Sequence, residues 1–324
     1  MTIGKGAFSR SLGIAAIIAY GIGSAAAEPI EIQAEPFETP QGALADGVVR
    51  FLSALRLSSP HPGFGGLSGM MIEDDRLTAV VDQGRFVSMQ LVRDSEGRLI
   101  DVTGGEIWPM LGLDGLALDK EGGDAEGVQA TPDGVLVSFE QTHRLGLFKT
   151  LQSAERRFTP QPPDRLVRGN RSFEGLARAP DGALVVVAER ATGPRAMLGR
   201  RNLGYRLARG RWSKFTFERS EGFSPTGLDF GPDGALYLLE RRFTLLGGVW
   251  MRLRRFVEPS FHTGDLGAGE TLAVLGPDSG IDNMEGVVVE RGAAGAVIVT
   301  VLSDDNFNSF QSTVLLQLEV DAAR

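Results

Sequence analysis

The chain has 324 residues, of which 42% are hydrophobic, and its 43 glycines and 16 prolines favour a β-rich globular protein. It contains no cysteine, which excludes disulfides, thiolate metal sites and a cysteine nucleophile. The formal net charge of −8 argues against nucleic acid as a partner and is compatible with cation binding.

The N-terminal segment has the layout of a secretory signal peptide. Two basic residues precede an apolar run over residues 12–22, and small residues follow up to Ala27. We predict a signal peptide over residues 1–27, cleaved after Ala27 by the general secretory route, and a periplasmic or secreted protein. The run is too short to span a bilayer comfortably, so no transmembrane span is expected in the mature chain; an uncleaved amphipathic anchor is the alternative. Residues 28–46 are predicted as a leader segment, and residues 47–324 as one domain.

A repeated pattern of a glycine, a Pro-Asp-Gly turn and an apolar run organises the rest of the chain. The clearest copies are DAEGVQATPDGVLVSFEQ (124–141), SFEGLARAPDGALVVVAER (172–190) and SPTGLDFGPDGALYLLERR (224–242), with looser copies in residues 65–86 and 282–307. Their marker glycines, Gly69, Gly127, Gly175, Gly227 and Gly286, are 48 to 59 residues apart. A period near 50 residues, filled with short β-type runs and turns, is typical of a β-propeller, in which each copy is one blade.

The two ends of the chain are expected to meet. The last copy is short and leaves the run STVLLQLEV at residues 312–320, while residues 48–57 form the early run VVRFLSALRL. Pairing of these N- and C-terminal strands would complete the last blade and close the ring, which removes exposed sheet edges. We therefore predict an all-β propeller of four-stranded blades. Five blades are expected, or six if residues 87–123 hide another.

Acidic residues recur at both ends of the predicted hairpins. The start of the first strand and the end of the second lie at the same edge of a hairpin, because the chain reverses between them. This geometry pairs Glu126 with Glu140, Glu174 with Glu189, Thr226 with Glu240, Ser68 with Asp82, and Glu285 with Asp304. The first strand is normally innermost in a blade, so these pairs are expected to encircle the mouth of the central channel.

Eight carboxylates on one face predict a cation site. They are Asp82, Glu126, Glu140, Glu174, Glu189, Glu240, Glu285 and Asp304. Like charges held close together raise one another's pKa unless a cation is present, and Ca²⁺ accepts several carboxylate oxygens with flexible geometry. Arg190, Arg241 and Arg242 follow directly on two of these acids and could neutralise them or hold an anionic substrate. The alternative is structural, with each acid merely marking the point where burial of its strand ends.

Other catalytic patterns are weak. The three histidines lack the spacing of zinc ligands, and the chain has no GxSxG motif of an α/β-hydrolase.

Several motifs together resemble a known family. GGLSG, DAEGV with its following PDG, NRSFEGLARAPDG, LLERRF, and MEGVVV with VLSDDNF occur in the order found in the phytase-like family described as having esterase-like activity of phytase. The resemblance covers about residues 64–320. It implies an exported bacterial β-propeller, related in architecture to calcium-dependent alkaline phytases, in which carboxylate-bound calcium holds phosphates and activates water. By the same resemblance, Arg190 and Arg241 are expected to contact phosphate. This chain has Phe139 where the family commonly has an acid, so one potential ligand is missing.

Two classes of function follow as hypotheses. The first is a calcium-dependent hydrolase of a phosphate ester, with Glu174 or Glu285 as the general base and Arg241 on the phosphate. The second is a non-catalytic periplasmic propeller that binds a small anion, a glycan or a protein. The EG-to-PDG units also resemble lactonase propellers of the gluconolactonase type, which makes ester hydrolysis at a single metal ion a further alternative. The partner in the enzymatic cases is a small anionic or ester substrate, and a monomer is expected.

Overall fold

Each repeat folds into an antiparallel sheet whose first strand is innermost. A computed structural model describes residues 25–38, 44, 48–163, 173–189, 201–292 and 295–321. Within these residues the chain forms five separate sheets, which are the five blades of a β-propeller. Tight turns connect the strands, and neighbouring blades cover both faces of each sheet. The continuous apolar runs after the Pro-Asp-Gly turns predict this burial.

The strands of the first three blades follow the chain in order from the centre outwards. Blade 1 contains β4 (Leu67–Glu73), β5 (Arg76–Val81), β6 (Arg85–Arg93) and β7 (Leu99–Pro109), with β1 (Glu28–Ile30) at its outer edge. Blade 2 contains β8 (Ala125–Thr131), β9 (Gly134–Phe139), β10 (Arg144–Phe148) and β11 (Glu155–Arg157). Blade 3 contains β12 (Phe173–Arg178), β13 (Leu184–Ala188), β14 (Arg201–Ala208) and β15 (Arg211–Glu218).

Blade 4 has the same order, and blade 5 combines both ends of the chain. Blade 4 contains β16 (Ser224–Phe230), β17 (Leu236–Thr244), β18 (Gly248–Phe256) and β19 (Glu270–Leu275), and a 3₁₀ turn (Pro277–Ser279) follows it. Blade 5 contains β20 (Asn283–Arg291), β21 (Val297–Asp304), β22 (Thr313–Val320), β3 (Val49–Ser58) and the edge strand β2 (Gln33–Pro36). The early strand β3 therefore pairs with β22, and no sheet of the described residues closes on itself.

The six-blade alternative is not supported. Residues 87–123 supply most of β6, all of β7 and the connection to β8, so they complete blade 1 rather than form another blade. The predicted leader contributes the two short edge strands β1 and β2. Residues 1–24, most of the predicted signal peptide, lie outside the described residues, so cleavage after Ala27 stays a prediction. No helix in the described parts of the chain has the length and hydropathy needed to cross a membrane.

The hydrophobic core is divided among the spaces between blades. Five clusters of buried residues each join two neighbouring blades, and one of them joins blade 5 to blade 1 through Leu315, Val288 and Leu77. The inner strands also contact one another in the cyclic order β4, β8, β12, β16, β20 and back to β4. Packing between blades, rather than within them, therefore fixes the positions of the inner strands.

The marker glycines lie where neighbouring inner strands approach most closely. A Cβ atom on Gly227 would lie 2.5 Å from the backbone carbonyl oxygen of Glu285 in the next blade. We expect Gly227→Ala to lower the free energy of unfolding by about 2–3 kcal/mol, because backbone atoms cannot move aside cheaply. Urea denaturation measures this. At Gly286 a Cβ would meet no atom closer than 3.1 Å, the nearest being the Met70 side chain and then the Leu302 Cβ at 3.2 Å, so Gly286→Ala is the matched control with a smaller loss. Equal losses in the two variants would contradict the explanation.

Candidate functional site: a ring of carboxylates at the channel mouth

A β-bulge at the same position of every inner strand turns one side chain towards the channel. The pairing of each inner strand with the second strand of its blade skips one residue, the one before the marker glycine. A bulge leaves its extra residue outside the ladder and re-aims its side chain. The five bulged residues are Ser68, Glu126, Glu174, Thr226 and Glu285.

A second layer of side chains comes from the ends of the second strands. Asp82 and Glu140 each donate a backbone N–H to the carbonyl of a residue that directly precedes their blade's inner strand, Gly66 at 3.0 Å and Asp124 at 2.8 Å. Asp304 pairs with Asn283 in the equivalent register of blade 5. Hairpin geometry thus brings the two layers to one face.

We call the resulting group the acid ring. Electrostatic repulsion links its eight members, which are Asp82, Asp124, Glu126, Glu140, Glu174, Glu189, Glu285 and Asp304. Burial is the larger effect: it raises the pKa of Glu285 to about 8 and that of Asp304 to about 7. The pKa values of Glu126 and Glu174 are also raised well above their usual value, first by burial and then by the neighbouring carboxylates.

The tightest group in the ring is in blade 2. One carboxylate oxygen from each of Asp124, Glu126 and Glu140 lies within 4.8 Å of the other two, an arrangement that can hold a metal ion. Asp124 is buried, and the other two are half-buried. The donors are all carboxylate oxygens, which suit a hard cation such as Ca²⁺ or Mg²⁺ better than Zn²⁺. One Asp82 carboxylate oxygen is buried without a hydrogen-bond partner among the described residues, as expected of a group placed to contact an ion.

Two basic side chains of the described residues contact the acid ring. The Nζ of Lys120 lies 2.9 Å from a carboxylate oxygen of Asp82. The Nη1 of Arg241 lies 3.4 Å from Oε1 of Glu285 and donates a hydrogen bond to Asn283, whose amide in turn donates to Glu285 at 2.7 Å. The pKa of Glu285 is raised even with Arg241 beside it, so this arginine does not offset the cost of its burial. A bound cation would relieve that cost.

The register corrects the predicted position of Glu240. In blade 2 the marker glycine Gly127 pairs with Ser138, eleven residues later, whereas in blade 4 Gly227 pairs with Leu239, twelve residues later. The second strand of blade 4 is therefore shifted by one residue relative to that of blade 2. The residue equivalent to Glu140 is therefore Arg241, and Glu240 lies one position earlier, on the opposite face of its strand. There it is fully buried and bound by Arg252 at 2.7 Å and Arg254 at 2.6 Å.

The remaining predicted residues divide into three cases. Glu174 and Glu189 are close enough for the charge of Glu189 to raise the pKa of Glu174. Arg190 lies outside the described residues. The Arg242 guanidinium lies over the rings of Phe223 and Trp250, at 4.7 and 5.1 Å from their centroids.

Three contributors to the site were not predicted from the sequence. The first is Asp124, which lies two residues before Glu126. The bulge at Glu126 brings both carboxylates to the ring. The sequence Asp-Ala-Glu-Gly, which ends at the marker glycine Gly127, could have indicated this second acid. Lys120 and Asn283 had no such signal, because Lys120 is 38 residues from Asp82 and Asn283 is 42 residues from Arg241. Phe139, by contrast, is buried against Phe148 and is a core residue.

The channel below the ring is too narrow for a substrate. The inner strands there leave a space of about 20 Å³, lined by the marker glycines and by four of the bulged residues, Glu126, Glu174, Thr226 and Glu285. That volume holds about one water molecule. A ligand larger than water therefore reaches the acid ring from the mouth.

The fold and the site together define a five-bladed β-propeller with carboxylates around the mouth of its channel. The chain belongs to the phytase-like family described as "Esterase-like activity of phytase", which it matches over residues 62–307, and this confirms the resemblance seen in the motifs. No curated protein sequence matches it significantly.

Solved structures show a distant likeness. A putative oxidoreductase (glucose dehydrogenase) from Thermus thermophilus is 18% identical, with a TM-score of 0.38 over 89% of this chain and 99% of that one. A protein of unknown function from Dyadobacter fermentans is 13% identical, with a TM-score of 0.42 over 92% and 95%. A PQQ-bound aldose sugar dehydrogenase from Streptomyces coelicolor is 13% identical, with a TM-score of 0.37 over 92% and 99%. At these values no property of this chain follows from the likeness.

Proposed function

We propose that this protein is a calcium-dependent hydrolase of phosphate esters whose chemistry takes place at the acid ring. The main support for this proposal is the cluster of carboxylates around one channel mouth, several of which are desolvated and have raised pKa values. Such a site repels an anionic phosphate unless a cation is bound, so a cation and an anionic substrate fit it together. Asp124, Glu126 and Glu140 are the residues proposed to hold Ca²⁺.

Bound calcium would offset the charge of the phosphoryl oxygens and lower the pKa of a coordinated water. The chain's own residues would then move the proton and hold the substrate. Glu285 is proposed as the general base, because its pKa of about 8 lies near neutral pH and Asn283 holds its carboxylate in place. Glu174 is the second candidate, since burial and neighbouring acids raise its pKa as well. Arg241 lies beside Glu285 and is proposed to bind a phosphate oxygen.

The test is hydrolysis by the purified protein in saturating calcium and in excess chelator, on a panel of phosphomonoesters, phosphodiesters and lactones. We expect turnover that depends on calcium and falls about 10²- to 10⁴-fold in Glu285→Gln, with little change in melting temperature. Glu319→Gln is the control and should keep full activity, because Glu319 forms an ion pair with Arg50 in blade 5 and is not a member of the acid ring. Calcium-saturated protein that cleaves none of the panel would refute the proposal.

A lactone-type ester is the second candidate substrate. The compact group of Asp124, Glu126 and Glu140 suits a single ion, and one ion suffices to polarise an ester carbonyl. Preference for lactones over all phosphate esters in the same panel would favour this alternative.

A Glu174→Ala/Glu285→Ala variant tests the hypothesis that the propeller is not catalytic. Lost turnover with retained folding favours an enzyme, and lost stability alone favours a structural calcium site.

A further inference from the structure

A second concave site adjoins the acid ring. It lies between the tip of the β17–β18 hairpin in blade 4 and the tip of the β21–β22 hairpin in blade 5, and we call it the rim pocket. Its volume is about 460 Å³, within the range of pockets that bind small molecules. The rim pocket and the acid ring share Arg241, which lines the pocket and contacts Glu285.

The inner end of the rim pocket is polar and fixed. Asn283 is 2% exposed there, and it accepts a hydrogen bond from Arg241 while donating one to Glu285. These contacts hold the guanidinium at the boundary between the pocket and the ring. The Arg241 side chain is still 32% exposed, and a guanidinium carries five N–H donors, so it retains surface for an anionic ligand.

The outer end of the rim pocket carries two exposed aromatic rings beside the polar side chains of Asn306 and Gln311. Phe243 and Phe310, at the two hairpin tips, are 63% and 94% exposed, and Val249 and Ile281 line the wall between them. Aromatic rings this exposed contribute little to folding, because they gain nothing from burial in the free protein. Contiguous apolar surface beside a polar anchor is typical of a ligand site.

We propose that the rim pocket binds the apolar group of the substrate, so that the preferred substrates are aryl or alkyl esters with one anionic head. This rests on the proposed function of the acid ring. The anionic head would lie between Arg241 and the ring, and the aryl or alkyl group would cover Phe243 and Phe310. A polyphosphorylated polyol fits this arrangement poorly, because its additional charges would lie against the aromatic rings and lose hydration without a partner.

Binding of non-hydrolysable phosphonates, measured by calorimetry in saturating calcium, tests this independently of turnover. We expect benzylphosphonate to bind about tenfold more tightly than methylphosphonate, because it buries additional apolar surface. In a Phe243→Ser/Phe310→Ser variant the preference should fall to about twofold or less, while methylphosphonate affinity stays unchanged. Leu113→Ser/Leu116→Ser, which removes two exposed apolar side chains from the β7–β8 connection, is the matched control and should keep the preference.

The outcomes separate this inference from the proposed function. Equal affinity for the two phosphonates, or no binding of either, overturns the rim pocket as the site for an apolar group. A benzyl preference that depends on Phe243 and Phe310, found without hydrolysis of any ester, supports the pocket and refutes the enzyme. Calcium-dependent hydrolysis without any such preference supports the enzyme and overturns the pocket.

Discussion

Replacing Glu240 by Gln is expected to lower the free energy of unfolding by about 3–5 kcal/mol. Glu240 is fully buried and is the shared partner of Arg252 and Arg254, each at most 3% exposed. Removal of its charge would leave two buried guanidinium groups without their common carboxylate. Glu240 accepts two hydrogen bonds from Arg254 and one from Arg252. A glutamine cannot accept all three in the same way, because its amide has only one acceptor oxygen. Urea denaturation followed by tryptophan fluorescence measures the loss.

The matched control is Glu319→Gln. Glu319 also binds an arginine across a strand pair, with both Arg50 contacts at 2.7 Å, but the Arg50 side chain is 66% exposed. Solvent screens that pair, so a loss below about 1 kcal/mol is expected. A Glu240→Gln variant as stable as this control would show that burial does not make the blade 4 cluster important for stability.

The fold was predictable from the sequence because its repeats carry their own turn chemistry. Three of the five repeats carry a Pro-Asp-Gly turn, and all five carry a marker glycine in the first strand of a hairpin, so five copies give five blades. The convergence of the acids was also predictable, since a hairpin returns its ends to one edge. The identity of every ring member was not, because a one-residue difference between two turns exchanges Glu240 for Arg241. The two turns share the Pro-Asp-Gly sequence, so that motif alone does not reveal the difference.

Contacts between distant parts of the chain were not predictable from the sequence. The hydrogen bond from Arg241 to Asn283 crosses from blade 4 to blade 5. The Lys120–Asp82 pair similarly links the β7–β8 connection to the end of β5. Such partners are tens of residues apart, and no periodicity in the chain marks them. The rim pocket arises in the same way, from two hairpin tips that only the circular arrangement makes neighbours.

Without divalent cations, the free energy of unfolding is expected to fall by about 6 kcal/mol between pH 5 and pH 8. Burial and like charges raise the pKa of Glu285 to about 8 and that of Asp304 to about 7, above the values that these groups have in an unfolded chain. The native state therefore holds more protons than the unfolded state over this range. Stability from these groups is fully present at low pH and is lost as the pH rises through the folded pKa values.

Calcium should reverse this trend, because it binds the ionised carboxylates and competes with their protons. Its stabilisation should be larger at pH 8 than at pH 5, and thermal melting at both pH values with and without calcium measures it. Asp229, near the other end of β16, also has a pKa raised to about 7 by burial, so it adds to the pH dependence without contacting the ring. The calcium-dependent part of the difference therefore isolates the ring. Calcium shifts that are equal at both pH values, or absent at pH 8, would mean that the acid ring binds no cation and cannot bring a phosphate to Glu285.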